Sequence, residues 1–264
     1  MKRNVIFYSR MVLFMLGFTG VYLEITKHGG LGMLMYYTVL SNMIVTAFTA
    51  YLLYLMARSE QRWQTQSLFR LKGGVTMCIM ITCVIYHFML APLATDFYRL
   101  ENFLCHYIVP LWFLADTLLF DKRLQYRWYD PIAWTSVPLL YMVFALFNGL
   151  VIKWPIPGAK DSPFAYFFLN IPKYGWPYVL QWSLKIFIGY LLASFLLFGF
   201  RKESLLPLRR ILPRRTREDF PLAAVRYFVP MCRMLRLLFL SAAALWLPAH
   251  RRHRQLRNTR CTRQ

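Results

Sequence analysis

Six apolar runs, each close to twenty residues long, dominate this chain. They lie at about Val5–Leu23, Tyr36–Met56, Gly73–Leu90, Phe103–Phe120, Pro131–Ile152 and Tyr178–Phe200. A helix rises about 1.5 Å per residue, so roughly twenty residues match the hydrocarbon core of a bilayer. The pattern predicts an all-α membrane protein, a six-transmembrane-helix bundle over residues 1–200. A content of 58% hydrophobic and 18% aromatic residues excludes a disordered or ordinary soluble chain.

The connections carry turn residues and charge: HGG at 28–30, SEQRWQTQS at 59–67 and DKRLQYRWYDP at 121–131. The stretch from Lys153 to Pro177 holds five prolines and no long apolar run, and is expected to be irregular. Loop cations give the orientation, because cytoplasmic loops collect Lys and Arg. One side gathers Lys2, Arg3, Arg10, Arg58, Arg62, Arg70, Lys72, Lys122, Arg123, Arg127, Arg201 and Lys202. The other has Lys27, Arg99, Lys153, Lys160 and Lys173. Twelve against five predicts a multi-pass protein of the cell membrane with both termini cytoplasmic.

The net charge of +21 is unevenly placed. Residues 1–200 carry eight Lys, eight Arg and eight acids, whereas 201–264 carry fifteen Arg, one Lys and three acids. That second region reads as a basic cytoplasmic tail with a short amphipathic segment, suited to anionic lipid head groups. It offers no nucleic-acid-binding fold and no aromatic platform, so nucleic acid is not expected as a partner. Cys78, Cys83 and Cys105 sit in apolar segments as small hydrophobes. The five cysteines show no metal or redox spacing.

The stretch from Glu101 to Phe120 is hydrocarbon-compatible except at His106 and Asp116. A charge at membrane depth costs roughly 2.5–3.5 kcal/mol on insertion scales, so Asp116 should face protein or a wet cavity. With the predicted topology, Thr38, Asn42, His87, Asn102, His106, Asn148 and Lys185 all fall in the outer half, and Asp116 is the deepest. A shared outward-opening pocket accounts for them, since polar groups at this depth need partners.

Three constellations compete. A threonine hydroxyl needs a base, and His106 lies at the depth of Thr38, with Asn42 one turn on as a donor to a ligand or oxyanion. A membrane threonine more commonly bonds its own i−4 carbonyl. His87 and His106 form the only pair for a haem or metal ion; two satisfied pocket histidines are the simpler reading, with no metal and no cofactor expected. Asp116 and Lys185 suit a buried ion pair, or a relay in a small-molecule carrier.

The segments YYTVLSN (36–42), RLKGGVTMCIMITCVIYHFMLAP (70–92), NFLCHYIVPLWFLADTLLFD (102–121), DPIAWTSVPLLYMVFALFNG (130–149) and PKYGWPY (172–178) carry a resemblance. Together they look like the bacterial branch of the androgen-induced, androgen-dependent family of six-transmembrane proteins. The likeness covers nearly all of residues 1–200 and none of the tail. It implies a multi-pass membrane fold and, by analogy with the animal members, hydrolysis of fatty-acid esters of hydroxy fatty acids by a threonine and a histidine. The family's threonine falls on Thr38, its histidine on His106 and its following acid on Asp116. Animal members carry NH-x-x-HT at the histidine. Here the run is NFLCHY, without the first histidine and with Tyr107 after His106. The resulting expectation is a lipid-directed hydrolase with Thr38 and His106 catalytic. Asn42, His87, Asn102, Asp116 and Asn148 would shape the pocket for a fatty-acid ester. A carrier or a haem- or metal-binding membrane protein is the alternative.

Overall fold

In the computed structural model, residues 3–58, 61–94, 96–121 and 126–203 are described. The predicted basic tail and its amphipathic segment lie outside the described residues. All regular structure among the described residues is helical. Six helices are long and apolar enough to cross a bilayer: α1 (Arg3–His28), α2 (Tyr37–Ala57), α3 (Gln66–Leu93), α4 (Leu100–Phe120), α5 (Asp130–Ile152) and α6 (Ile171–Phe200). Such a set fits a multi-pass membrane protein. Two bounds differ from the sequence expectation. Helix α3 begins at Gln66 instead of Gly73, and α6 opens with a helical turn from Ile171 that breaks at Gly175 (φ 79°, ψ 161°), just before the expected start at Tyr178.

Residues 3–83 and 98–203 belong to one packed unit, and residues 84–97 to a second. In the second, Tyr86 stacks on Phe97 and His87 meets Phe88 edge-on. In the first, Leu13 of α1, Val45, Phe48 and Leu52 of α2, Ile79 of α3, and Val109 and Phe113 of α4 make one apolar core. Met77, Trp134, Tyr190 and Leu197 bring α3, α5 and α6 together in a second cluster. Helix α4 is 61% buried against 11% for α6, so α4 is central and α6 presents most of its apolar surface outward.

Two glycines let α1 approach closely. A Cβ on Gly17 would overlap the Thr46 hydroxyl of α2. One on Gly20 would lie 2.9 Å from Cys105 Sγ and 3.1 Å from Leu104 Cβ of α4. Small residues at such crossings allow the dispersion contacts that hold helices together in lipid. Several interior hydroxyls are satisfied within the bundle, as hydrocarbon requires. Thr46, Thr49 and Thr76 donate to their own i−4 carbonyls, and Ser41 and Thr76 also reach Thr82 and Thr117 at 2.8 Å.

Helix α4 is not uniform. It opens as one α-turn, widens into a π-turn at Leu104–Ile108 and resumes as α-helix at Val109. Pro110 supplies the cause. It has no N–H, and its ring crowds the carbonyl four residues back, which is that of His106. The widened turn sends the Val109 N–H to the Leu104 carbonyl.

Candidate functional site

The π-turn of α4 and the first turn of α2 place the best candidate pair. Thr38 Oγ1 and His106 Nε2 are 3.3 Å apart, and both residues are buried. On the far side of the ring, His106 Nδ1 lies 3.0 Å from the Asn102 carbonyl oxygen. A carbonyl only accepts, so Nδ1 carries the proton and Nε2 is left as the acceptor facing Thr38. Hydroxyl, ring nitrogen and carbonyl thus stand in the order that activation of a hydroxyl would require. The π-turn matters here, because such turns shift a side chain out of α-register and recur at functional sites.

The Asn42 side chain lies beside the pair, but its donors are already used. Nδ2 donates to the Thr38 carbonyl at 2.8 Å and to the Cys105 carbonyl at 2.9 Å. The widened turn explains the second bond. In a regular helix the Val109 N–H would serve the Cys105 carbonyl; here it serves Leu104 instead, and Pro110 has no N–H to offer. Asn42 fills that vacancy and pins α2 to α4 at the site. It is therefore a positioning residue, and the expected donor to a ligand or oxyanion is not free. Its Oδ1 is buried without a partner among the described residues.

The segment between α5 and α6, expected to be irregular, folds back onto this end of the bundle. Asn148 Nδ2 donates to the carbonyls of Trp154 and Pro163, at 3.2 and 3.0 Å. Tyr36 Oη donates to the Pro157 carbonyl at 2.8 Å. Asn148 is thus an anchor for the segment. Residues Phe164, Ala165, Tyr166, Phe168 and Leu169 are buried as a result. The Tyr166 ring packs edge-on against Tyr36 and Tyr141, at 6.1 and 6.3 Å between centroids, and stacks on Phe168 at 5.3 Å. Its hydroxyl lies near polar groups of Tyr37, Thr38 and Tyr141. Burial pushes the phenol's pKa up, and these groups only partly offset it, so Tyr166 keeps its proton at neutral pH. Sequence reasoning missed this residue. Its only signal was the aromatic run FAYFF in a proline-rich loop.

The remaining predicted residues go elsewhere. His87 lies buried in the π-turn Tyr86–Leu90 of the second unit. Asp116 is not beside Thr38 and His106. It accepts from Arg10 Nε at 3.1 and 3.2 Å and from Lys72 Nζ. Arg10 Nη2 and Lys72 Nζ also reach Asp121, at 3.4 and 2.7 Å. Two cations and two carboxylates alternate in a network with side chains at most 1% exposed. Arg10 lies over Trp63 at 5.4 Å, and Lys72 over Phe113 at 5.7 Å.

The expected Asp116–Lys185 pair is therefore replaced. Lys185 is exposed and sits 4.8 Å over the Trp182 ring. The cause is proximity: α1 and α3 each bring a buried cation to Asp116, while α6 is peripheral. Arg10 and Lys72 had been counted as loop cations, which hid their role.

At the opposite end of α4, His28 Nε2 lies 2.9 Å from Glu101, Lys27 Nζ lies 3.4 Å from Glu101, and Arg99 Nη1 lies 2.9 Å from the His28 ring. This cluster ties the end of α1 to the start of α4. Among the described residues, no group of three or more His, Cys, Asp or Glu side chains is disposed to hold a metal ion. No family model, curated protein or solved structure matches the chain.

Proposed function

We propose that this chain is a multi-pass protein of the cell membrane that hydrolyses long-chain fatty-acid esters, with Thr38 as nucleophile and His106 as general base. One observation carries the reading: the Thr38 hydroxyl stands 3.3 Å from His106 Nε2 while the opposite ring nitrogen is held by the Asn102 carbonyl. His106 removes the hydroxyl proton as Thr38 Oγ1 attacks the ester carbonyl. It returns that proton to the departing alcohol, leaving an acyl-threonine. Water, deprotonated by the same histidine, then releases the fatty acid. An apolar acyl chain suits a buried site inside a membrane protein, near the rings of Tyr36, Tyr37 and Tyr141. The resemblance to ester-cleaving six-transmembrane proteins points the same way.

Both termini are assigned to the cytoplasm. Without the buried Arg10 and Lys72, the loop cations divide ten against five, in the same direction as before.

The test is labelling of the detergent-purified protein with a fluorophosphonate probe, alongside hydrolysis of a long-chain p-nitrophenyl ester. Wild type should react, and Thr38→Ala and His106→Ala should lose at least 100-fold, within the range general-base catalysis contributes. Equal labelling of all three proteins would remove the assignment.

A further inference from the structure

Two arginines meet at one phenol where α3 and α5 begin. Asp130, the first residue of α5, is buried. It accepts from Arg70 Nε at 3.1 and 2.8 Å, from Arg70 Nη2 at 2.6 Å and from the Arg127 backbone N–H at 2.7 Å. That pairing balances the charge of Arg70. Arg70 Nη2 also donates to Tyr129 Oη at 3.1 Å, and Arg127 Nη1 donates to the same oxygen at 2.6 Å. Both guanidinium groups lie over the Tyr129 ring, at 5.2 and 5.8 Å from its centroid. They draw the phenol's pKa below the usual tyrosine range, Arg127 more than Arg70, which marks a positive potential at that oxygen.

The frame behind them is fixed. Trp134 Nε1 of α5 donates to the Arg70 carbonyl at 3.2 Å, and a Cβ on Gly73 or Gly74 would overlap the Trp134 ring, so α3 and α5 are in direct contact. Arg127 itself is exposed. Among the described residues it forms no ion pair, and its side chain bonds to Tyr129 alone. An exposed arginine is usually mobile; this one is held in place with its charge unbalanced and most of its N–H donors unspent. The Tyr129 oxygen accepts from two cations, and its own O–H meets no acceptor among the described residues.

Position selects the anion. Tyr129 directly precedes one span and Arg70 lies one turn into another, so both stand at head-group level when the helices cross a bilayer. Trp128, 70% exposed and edge-on to Tyr129 at 5.9 Å, is the residue type that favours that layer. We propose that Arg127 and Tyr129, backed by Arg70 and flanked by Trp128, bind the phosphate of an anionic phospholipid. The Arg127 fork matches two phosphate oxygens, and the Tyr129 O–H donates to one of them. Trp128 lies along the upper part of an acyl chain. A zwitterionic lipid brings its own ammonium and leaves Arg127 unbalanced, so an anionic lipid is preferred. The site depends on the six helices crossing a bilayer and not on the Thr38–His106 reading.

The experiment reconstitutes the full chain in phosphatidylcholine vesicles containing brominated phosphatidylglycerol, whose bromines quench a tryptophan in contact with them. The Trp128 signal is the difference between each protein and its Trp128→Phe form, so lipid held elsewhere on the chain does not enter. Quenching by brominated phosphatidylcholine gives the reference. Wild type should favour phosphatidylglycerol about tenfold, as one charge-assisted fork provides. Arg127→Ala should abolish the preference, and Arg127→Lys should lose most of it, because lysine keeps the charge without the fork. Tyr129→Phe should fall between wild type and Arg127→Ala. Arg58→Ala removes an exposed charge at the same end and should stay within twofold of wild type. Equal losses in Arg58→Ala and Arg127→Ala, or an unchanged ratio in Arg127→Lys, would reduce the site to diffuse surface charge and overturn the proposal. Equal quenching of wild type by the two lipids would overturn it as well. Displacement of phosphatidylglycerol by inorganic phosphate at constant ionic strength would overturn the lipid assignment in favour of the free anion.

Discussion

Asp116 shows at single-residue scale what membrane burial demands. Its carboxylate lies between Arg10 and Lys72, and those two cations also hold Asp121, so the four charges balance within one network. Removing one member of a buried set leaves an uncompensated charge and typically costs about 3–5 kcal/mol. Asp116→Ala should therefore lower stability in detergent by that amount, and the double variant Asp116→Ala/Lys72→Met should recover a large part of it. Lys185→Met should change nothing, alone or with Asp116→Ala. Thermal or denaturant midpoints of the four proteins check this; additive losses for Asp116 and Lys72 would dissolve the network. The need of Asp116 for a partner was legible in the sequence, and the partner was not. Arg10 and Lys72 stand at the edges of apolar runs, where a cation reads equally well as a loop charge. Only the packing of α1 and α3 on α4 decides between the two. Thr38 and His106 were legible because both sit a few residues inside helices that start at the same end, which fixes their depth.

A proline in the middle of an apolar helix has consequences one element away. Pro110 leaves the Cys105 carbonyl without its backbone donor, and Asn42 of α2 fills the gap at 2.9 Å. The π-turn that moves His106 and the side chain that pins α2 beside it are thus two results of one missing N–H. Asn42→Leu should cost about 1–3 kcal/mol, the usual penalty for an orphaned buried acceptor. Pro110→Ala restores an N–H and lets the turn close, so Asn42→Leu in that background should cost clearly less. Midpoints of the two single variants and the double variant measure the coupling. Equal costs in both backgrounds would show that Asn42 does not stand in for the helix bond. Sequence periodicity locates such a helix but does not see a π-turn, because one extra residue per turn leaves the apolar run intact. The α5–α6 segment is irregular, as its prolines predict, but the prolines do not reveal that Asn148 and Tyr36 hold it in place.

At the scale of the whole molecule, the two ends differ in chemistry, and the difference predicts the orientation. The Thr38 end carries the aromatic wall, the folded 153–170 segment and the His28–Glu101 cluster. The other end carries loop cations, of which Arg58, Arg62 and Arg127 are exposed. Arg10 and Lys72, once counted among those cations, are neutralised within the bundle and do not enter the loop count. The positive-inside rule counts cations in short loops near helix ends and gives little weight to acids, so Lys27 and Arg99 remain in the count although they lie within the Glu101 cluster. The division of ten against five predicts that Arg58 lies in the cytoplasm and Lys160 outside. Both positions are exposed, and Cys78, Cys83 and Cys105 are buried, so single cysteines can be read after Cys232 and Cys261 are replaced by Ser. In intact cells, a membrane-impermeant maleimide should label Lys160→Cys and leave Arg58→Cys untouched until the membrane is opened. The reverse pattern would invert the topology and put the Thr38 site on the cytoplasmic face. Labelling of both in intact cells would mean that the six helices do not cross as an alternating set.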